Sequence, residues 1–341
     1  MGDPTRTRRD LFLGALASMM TGPSLRTGHA SQAGALAPVP IDRRSVGIAY
    51  SLWHQAGLWR GKAHRPWGTP ELGLYSSNDP LVLTRHADWL GSAGVDFVVI
   101  DWSNDLGMDV RRSVGPASQR FIEQATLTLF EVWGARPSSP KAVVMIGNPG
   151  AQDAVSNGQL RAKADEVHDL FVKDRQRARL LQNYLGKPLL LVYADTPSPW
   201  PQGLPPWTDD RFTVRFVTGF LTDQTALLGP DKLSRYGYWS WEDRGEPSYA
   251  VFQGHPECMT VVAAWRGPGS PGRNHGQTYV SQWKRARELG PRFVLAGTFN
   301  EWWVSEQVSQ EGSKDIEPSL ELGHRYLDIL AEQVSLFKPG L

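Results

Sequence analysis

Eight short apolar runs recur along the chain, and several of them show no regular alternation with polar residues. Runs of this kind are typical of parallel β-strands that are covered on both faces. They lie at 46–53, 95–102, 141–147, 188–194, 212–220, 236–242, 259–265 and 293–299.

Helical patterns separate the apolar runs. Asn78-Asp79-Pro80 supplies a capping residue and an early proline, and Leu83, His86 and Leu90 then follow near helical spacing. Further helices are predicted at 117–133, at 157–185, around 279–286 and at 319–337, and only the fifth crossover, near 223–228, is short.

Eight strands that alternate with helices predict an α/β fold, a single-domain (β/α)8 TIM barrel over residues 38–341. The alternative is an open doubly wound sheet. That fold commonly carries a Gly-rich phosphate loop after its first strand, whereas "SLWHQAGLWRG" is aromatic and lacks the pattern G-x-G-x-x-G. In a barrel, the active site lies at the C-terminal ends of the strands.

The N-terminal segment has the pattern of an export signal. Arg8-Arg9 precedes an apolar run from Leu11 to Met20, which resembles a twin-arginine signal and is too short to span a bilayer. We expect residues 1–37 to be removed after Ala37, with "SQA" at 31–33 as a competing cleavage site. The mature chain is then expected to be periplasmic or secreted and to have no membrane span.

Composition excludes some partners and favours others. Lys and Arg (36) nearly balance Asp and Glu (35), so the net charge of +1 provides no field that would attract nucleic acid. The 14 tryptophans favour flat, amphipathic ligands. Cys258 is the only cysteine, which leaves no intramolecular disulfide, and its position in an apolar run predicts a buried thiol. The oligomeric state is not predicted.

Carboxylates and aromatic side chains dominate the predicted strand ends. No G-x-S-x-G, His-x-x-x-His or calcium-loop pattern occurs, so no nucleophilic serine, metal site or cofactor is predicted. The residues that we expect to converge are Trp53, His54, Asp101, Trp102, Tyr193, Trp241, Glu242, Arg266, Asn300, Glu301, Trp302 and Trp303.

Carboxylates beside aromatic rings suit the cleavage of glycosidic bonds, because one carboxyl protonates the leaving oxygen while sugar faces stack on the rings. The indoles beside Glu301 would exclude water and raise its pKa, as a general acid requires. The alternative for Glu301 is a salt bridge to a barrel arginine.

Other strand-end residues also have structural alternatives. Asp101 could cap its own loop, Glu242 could pair with Arg244 or a neighbouring loop, and His54 could be a structural histidine. Arg266 either binds a polar or anionic substituent or pairs with a carboxylate.

Two segments, "WGTPELGLYSSNDPLVLTRHADWLGSAGVDFVVIDWSN" (67–104) and "TFNEWWVSEQVSQEGSKDIEPS" (298–319), resemble the barrels of glycoside hydrolase families 99 and 71, which include endo-α-mannosidases. The resemblance adds Tyr75, the first residue of "YSSND", to the predicted substrate-binding residues. It implies a catalytic Glu at Glu301 and a second one three residues later, where this chain has Val304. Glu306 or Glu242 could replace that second carboxylate.

The sequence therefore predicts an exported glycoside hydrolase acting on a polysaccharide or glycan, with α-mannan and α-glucan as candidate substrates. The predicted catalytic residues are Glu301, Glu306 and Glu242. The alternative is a carbohydrate-binding barrel that lost hydrolysis with the second catalytic Glu.

Overall fold

A computed structural model of the protein describes residues 44–59, 65–103, 119–147, 158–194, 207–223, 225–302 and 308–338. The predicted export signal lies outside these ranges, as do Trp303, Val304 and Glu306. No helix in the described ranges has the length and apolar character needed to cross a membrane.

Eight parallel strands form the barrel, and each lies within or overlaps one of the eight predicted runs. Neighbouring strands pair in the order β7-β8-β1-β2-β3-β4-β5-β6. The ring closes where the Thr260 hydroxyl of β7 donates to the Ser240 carbonyl of β6 at 2.5 Å. The single-domain (β/α)8 prediction is confirmed. The strands are β1 Ser45–Tyr50, β2 Phe97–Asp101, β3 Lys141–Gly147, β4 Lys187–Tyr193, β5 Thr213–Phe220, β6 Trp239–Glu242, β7 His255–Val261 and β8 Phe293–Thr298.

Helices cover the outside of the barrel. The first begins as predicted, because the Asp79 carboxylate accepts the backbone N–H of Leu81 at 2.8 Å and Pro80 occupies the first turn. Its buried side includes Leu83, His86 and Leu90. The helices are α1 Pro80–Ser92, α2 Gln119–Gly134, α3 Gln159–Val167, α4 Arg175–Ala178, α5 Gln277–Leu289 and α6 Arg325–Phe337.

The helix predicted at 157–185 is wrong in its extent. α3 continues as a π-helical turn, His168–Val172, and Asp174 then caps the separate helix α4 by accepting the N–H groups of Gln176 and Arg177. The helix predicted to begin at residue 319 begins six residues later, because residues 319 and 323 form a β-bridge and Gly323 has φ +56°.

Three short strands were not predicted, and two of them form hairpins with barrel strands. Both turns combine two positive φ angles. These are 52° and 81° in Leu185-Gly186, and 51° and 80° in Gln253-Gly254. This geometry matches the twist of antiparallel strands joined by two residues. The short strands are Asn183–Tyr184, Leu233–Ser234 and Tyr249–Phe252.

Two apolar layers hold the fold together. The larger one lies between the strands and the helices, and it includes Leu83, Trp133 and Trp283. The smaller one fills the barrel with alternate strand residues, and it includes Phe97, Phe293 and the buried thiol of Cys258. This interior is a packed core, so ligands must bind at the strand ends.

Gly47 tests the packing of that interior. A Cβ atom on Gly47 would lie 2.3 Å from the Phe97 ring, which is itself enclosed by the barrel core. We therefore expect Gly47→Ala to reduce the free energy of unfolding by about 1–3 kcal/mol in a urea titration. Gly134→Ala is the control, because nothing lies within 4 Å of the added methyl group. Equal stability of the two variants would contradict this account of the core.

Candidate active site

A cleft opens beside the C-terminal ends of β6 and β8, where a barrel active site is expected. Its empty volume is about 280 Å³. The segments that follow β7 and β8 provide most of the walls, and Trp67 closes one side. The lining residues are Trp67, Glu242, Arg266, Glu301, Trp302, Val308, Gly312, Ser313, Lys314 and Asp315.

Two carboxylates share one ammonium group in this cleft. Lys314 Nζ lies 2.6 Å from Glu242 Oε2 and 3.3 Å from Glu301 Oε2. The Lys314 and Glu301 side chains are 11% and 14% exposed, whereas that of Glu242 is 1% exposed. The three groups therefore interact in a region that is mostly shielded from water, where charges are weakly screened.

Burial raises the pKa of Glu301 from its ordinary value of 4.5 to about 7. The Lys314 ammonium opposes this shift, whereas the nearby Asp315 and Glu242 carboxylates add to it. A carboxyl group with this pKa holds a proton in a substantial fraction of molecules at neutral pH. It can therefore act as a proton donor.

The Asp315 carboxylate positions the backbone that carries Glu301. Its Oδ1 accepts the N–H of Glu301 at 2.9 Å, and its Oδ2 accepts the N–H of Trp302 at 2.7 Å and the Trp67 indole at 2.8 Å. The Thr298 hydroxyl donates to the same carboxylate. These bonds tie the end of β8, the cleft wall and the segment after 308 to one buried group.

A second buried carboxylate fixes the indole of Trp302. Glu317 Oε2 accepts Trp302 Nε1 at 2.5 Å and the Tyr75 hydroxyl at 2.8 Å, and Oε1 lies 3.0 Å from His86 Nε2. Tyr50 completes this network, with its hydroxyl 2.6 Å from His86 Nδ1. Trp302 has φ +59°, which is uncommon for a large side chain, and its ring stacks on Trp67 with centroids 4.7 Å apart.

Arg273 holds the segment that carries Lys314. Its fully buried guanidinium group donates to the carbonyls of Gln310 and Asp315, both at 2.7 Å. The group also lies over the rings of Trp67 and Tyr326, at 5.0 and 4.3 Å from their centroids. These contacts fix the backbone on both sides of Lys314.

Comparisons with known proteins agree with this fold. The chain is 23% identical over 300 residues to the human glycoprotein endo-alpha-1,2-mannosidase-like protein, and the match covers 79% of this chain but only 61% of that protein. The family 99 endo-alpha-mannosidase structure from Bacteroides thetaiotaomicron superposes with a TM-score of 0.56 at 15% identity, over 85% of this chain and 97% of that one. The chain has the fold of the family 99 endo-α-mannosidases.

The predicted resemblance to family 99 is therefore confirmed for the fold. A further structure, described as a glycoside hydrolase-like protein, matches with a TM-score of 0.51 at 14% identity, over 87% of this chain and 97% of that one. No protein-family model matches the chain.

Four of the predicted site residues line the cleft of this family 99-like barrel. Glu242, Glu301, Arg266 and Trp302 come together there although they follow three different strands. The cation that meets Glu301 is a lysine rather than the arginine considered as its alternative partner. Glu242 pairs with the same lysine, which lies in a neighbouring loop, and a pairing of that kind was one of the alternatives considered for Glu242.

Several residues predicted to bind substrate are buried and are not among the described residues that line the cleft. Asn300 is 1% exposed and bonds with both backbone groups of Ser51, and the His54 ring stacks on Trp59 at 4.5 Å. Trp102 points towards α2, where its indole donates to Thr126 at 3.0 Å. Tyr75 and Trp53 are also buried.

The other predicted residues within the described ranges lie at the C-terminal ends of their strands. Tyr193 and Trp241 are half-buried and pack on the interior apolar layer. Asp101 accepts the backbone N–H of Ser103 at 2.7 Å, which is the capping role considered for it. Burial nevertheless raises the pKa of Asp101, and Lys314 is close enough to oppose that shift.

Lys314 and Trp67 were not predicted as site residues. Both lie in segments that resemble family 99, and Lys314 directly precedes the Asp-Ile-Glu-Pro sequence that places Asp315 and Glu317. The described residues contain no group of three or more His, Cys, Asp or Glu side chains arranged to hold a metal ion.

The raised pKa of Glu301 predicts a pH-dependent effect of Glu301→Gln on stability. Below pH 4.5 the carboxyl is protonated in both folded and unfolded chains, so the substitution should change little. Above pH 7 the folded wild type holds a poorly solvated carboxylate, so the variant should be more stable. The shift from 4.5 to about 7 corresponds to a gain on the order of 3 kcal/mol.

Urea titrations at pH 4.5 and pH 8 measure this difference. Glu288→Gln is the matched control, because Glu288 is exposed on α5 and pairs with Lys284, which lowers its pKa. We expect no gain at pH 8 for the control. If Glu301→Gln changed the stability equally at both pH values, the pKa of the Glu301 carboxyl group would not be raised in the folded protein.

Proposed function

We propose that this protein is an exported glycoside hydrolase that cleaves glycosidic bonds of a polysaccharide or glycan. The observation that carries the proposal is the pair of carboxylates in one cleft, with Glu301 poised to donate a proton. The Bacteroides protein of similar fold is described as an endo-alpha-mannosidase, and the human relative as endo-alpha-1,2-mannosidase-like, which favours α-mannosidic bonds as the first substrate class to test. α-Glucans form the second class.

The distances limit how the two carboxylates can act. Because Glu242 and Glu301 contact the same nitrogen, the two contacting oxygens are less than about 6 Å apart, which is near the separation of about 5–5.5 Å found in retaining glycosidases. Inverting enzymes need a wider gap to admit a water molecule. The proposed reaction therefore retains the configuration at the anomeric carbon.

The reaction would proceed in two steps. Glu301 donates its proton to the glycosidic oxygen as the bond to the anomeric carbon breaks, and a Glu242 oxygen bonds to that carbon. Water then attacks the anomeric carbon and releases Glu242, while Glu301 accepts the proton of that water. Trp67 provides the aromatic side of the cleft, where a sugar face can stack, and the buried Trp302 ring packs against it.

A second candidate function is carbohydrate binding without hydrolysis. Val304 stands at the position where the family resemblance implies the second catalytic Glu, and a valine cannot transfer a proton. The contact of both cleft carboxylates with Lys314 also favours this candidate, because ion pairing reduces their availability to a substrate.

Hydrolysis is tested by measuring reducing-end release from α-mannans, α-glucans and bacterial exopolysaccharides. We expect Glu301→Gln and Glu242→Gln each to lower the rate at least about 100-fold, because each removes a group that acts in the reaction. Wild-type kcat/KM should fall as the pH rises through about 7, where Glu301 loses its proton. Glu288→Gln should match the wild type.

Three outcomes would change the proposal. Full activity of Glu301→Gln would remove Glu301 from the reaction. Loss of activity in Glu306→Gln but not in Glu242→Gln would make Glu306 the second carboxylate. Binding of a polysaccharide by the wild type and both variants, with no reducing-end release, would support the carbohydrate-binding candidate.

Export is part of the proposal because Arg8-Arg9 precedes an apolar run in the order of a twin-arginine signal. We expect replacement of both arginines by lysine to hold the full chain inside a bacterial host that exports the wild type. Immunoblots of cell fractions and medium measure this. Unchanged distribution of the double variant would contradict twin-arginine export.

A further inference from the structure

Among the described residues that line the cleft, Lys314 is the one that contacts both carboxylates assigned to the reaction. The charged groups that line the cleft around Glu301 are Lys314 and Asp315 from the segment before Glu317, Glu242 from β6 and Arg266 after β7. Asp315 is already occupied by the backbone of residues 301 and 302 and by the Trp67 indole. The short contacts of Lys314 therefore go to Glu242 and Glu301.

The two contacts of Lys314 differ in a way that assigns the charges. Glu242 is nearer, at 2.6 Å, and almost fully buried, so its negative charge would be the more costly of the two to leave without the ammonium group. Glu301 is more distant, at 3.3 Å, and more exposed. One ammonium cannot neutralise two carboxylates, and the excess negative charge is relieved when Glu301 takes up a proton.

The proposed first step moves the negative charge from one of these carboxylates to the other. When a Glu242 lone pair forms the bond to the anomeric carbon, Glu242 becomes part of a neutral ester. When Glu301 gives its proton to the leaving oxygen, Glu301 becomes a carboxylate. The electron pair of the broken bond stays on the leaving oxygen, which the proton neutralises, and Lys314 keeps its three protons throughout.

We propose that Lys314 is a shared counter-ion that pairs with Glu242 before the first step and with Glu301 after it. This inference rests on the proposed hydrolysis, and it gives a role to a residue outside the predicted catalytic set. The ammonium already lies within 3.3 Å of both carboxylates, so the transfer needs only a small displacement. Arg273 fixes the backbone on either side of Lys314, which keeps the displacement small.

Lys314 is therefore a positioning residue that acts through the two carboxylates. Its effect should appear in the proton affinity of Glu301 and in kcat, whereas KM should change little because the ammonium is directed at protein carboxylates rather than at a sugar. A residue with a merely structural role would not move the titration of Glu301 in a predictable direction.

The first experiment measures the titration of Glu301 by NMR in full-length protein labelled with carbon-13 at the glutamate carboxyls. The signal of Glu301 is assigned by its loss in Glu301→Gln. We expect Lys314→Met to raise the midpoint by about one pH unit or more, because removal of a nearby cation disfavours the carboxylate. Lys314→Arg should stay near the wild type, and Lys284→Met on α5 is the control with no expected change.

A second variant is expected to shift the Glu301 midpoint in the opposite direction, and it keeps the inference testable if Lys314→Met does not fold. Glu242→Gln removes the competing carboxylate and frees the ammonium for Glu301, so the midpoint of Glu301 should fall by about one pH unit. Midpoints that do not move in either variant would overturn the shared counter-ion.

Kinetics on a substrate that the wild type hydrolyses form the second experiment. We expect Lys314→Met to lower kcat at least about 10-fold with KM within about twofold, to move the alkaline limit of activity upward with Glu301, and to be rescued by Lys314→Arg. If the titration midpoints of Glu301 shift as expected but the wild type hydrolyses no substrate, the proposed function and the transfer of charge between the carboxylates are overturned. The sharing of Lys314 by Glu242 and Glu301 in the free protein would then still stand. Wild-type hydrolysis with an unaltered kcat in Lys314→Met would overturn the inference alone.

Discussion

The site depends on the buried Asp315 carboxylate, which accepts the backbone N–H groups of both Glu301 and Trp302. Burying a carboxylate is costly unless hydrogen bonds compensate it, and here the Trp67 indole and the Thr298 hydroxyl supply further donors. The Asp315 carboxylate thus fixes the path of the backbone just after β8 and joins it to the cleft wall. Glu301 can face the cleft because the Asp315 carboxylate accepts its backbone N–H and so fixes its position.

This support allows a local conformation that would otherwise be unfavourable. Trp302 has φ +59°, and such a conformation costs on the order of 1–3 kcal/mol in a non-glycine residue. The stack on Trp67 and the indole bond to Glu317 oppose that cost. The effect is to place an aromatic ring and a carboxylate side by side at one strand end, which a regular strand would not do.

The charges in the cleft show a similar balance between stability and chemistry. A fully paired site would leave each carboxylate with its own cation, and neither would hold a proton at neutral pH. Here one lysine serves two carboxylates, and burial raises the pKa of Glu301 to about 7. Such an arrangement costs folding stability and leaves a carboxyl group that can hold a proton at neutral pH, a balance that is common at functional sites.

The sequence by itself determined the barrel and indicated Glu301 as a residue of the cleft at its strand ends. Apolar runs without alternation identify buried parallel strands because both faces of such a strand are covered, and Asp79 and Pro80 set the start of α1 through local bonds alone. The extent of the helix predicted at 157–185 was wrong because a new cap at Asp174 and a two-residue turn at Leu185-Gly186 interrupt it.

Only the tertiary structure decided which strand-end residues face the cleft. An apolar strand covered on both faces has no polar side to orient it, so the sequence could not show that Trp102 and His54 are buried and do not line the cleft. It also could not show the contact between Lys314 and Glu242, which lie 72 positions apart. That contact exists because the barrel brings the end of β6 beside the segment after β8, and it sets the electrostatic environment of Glu301.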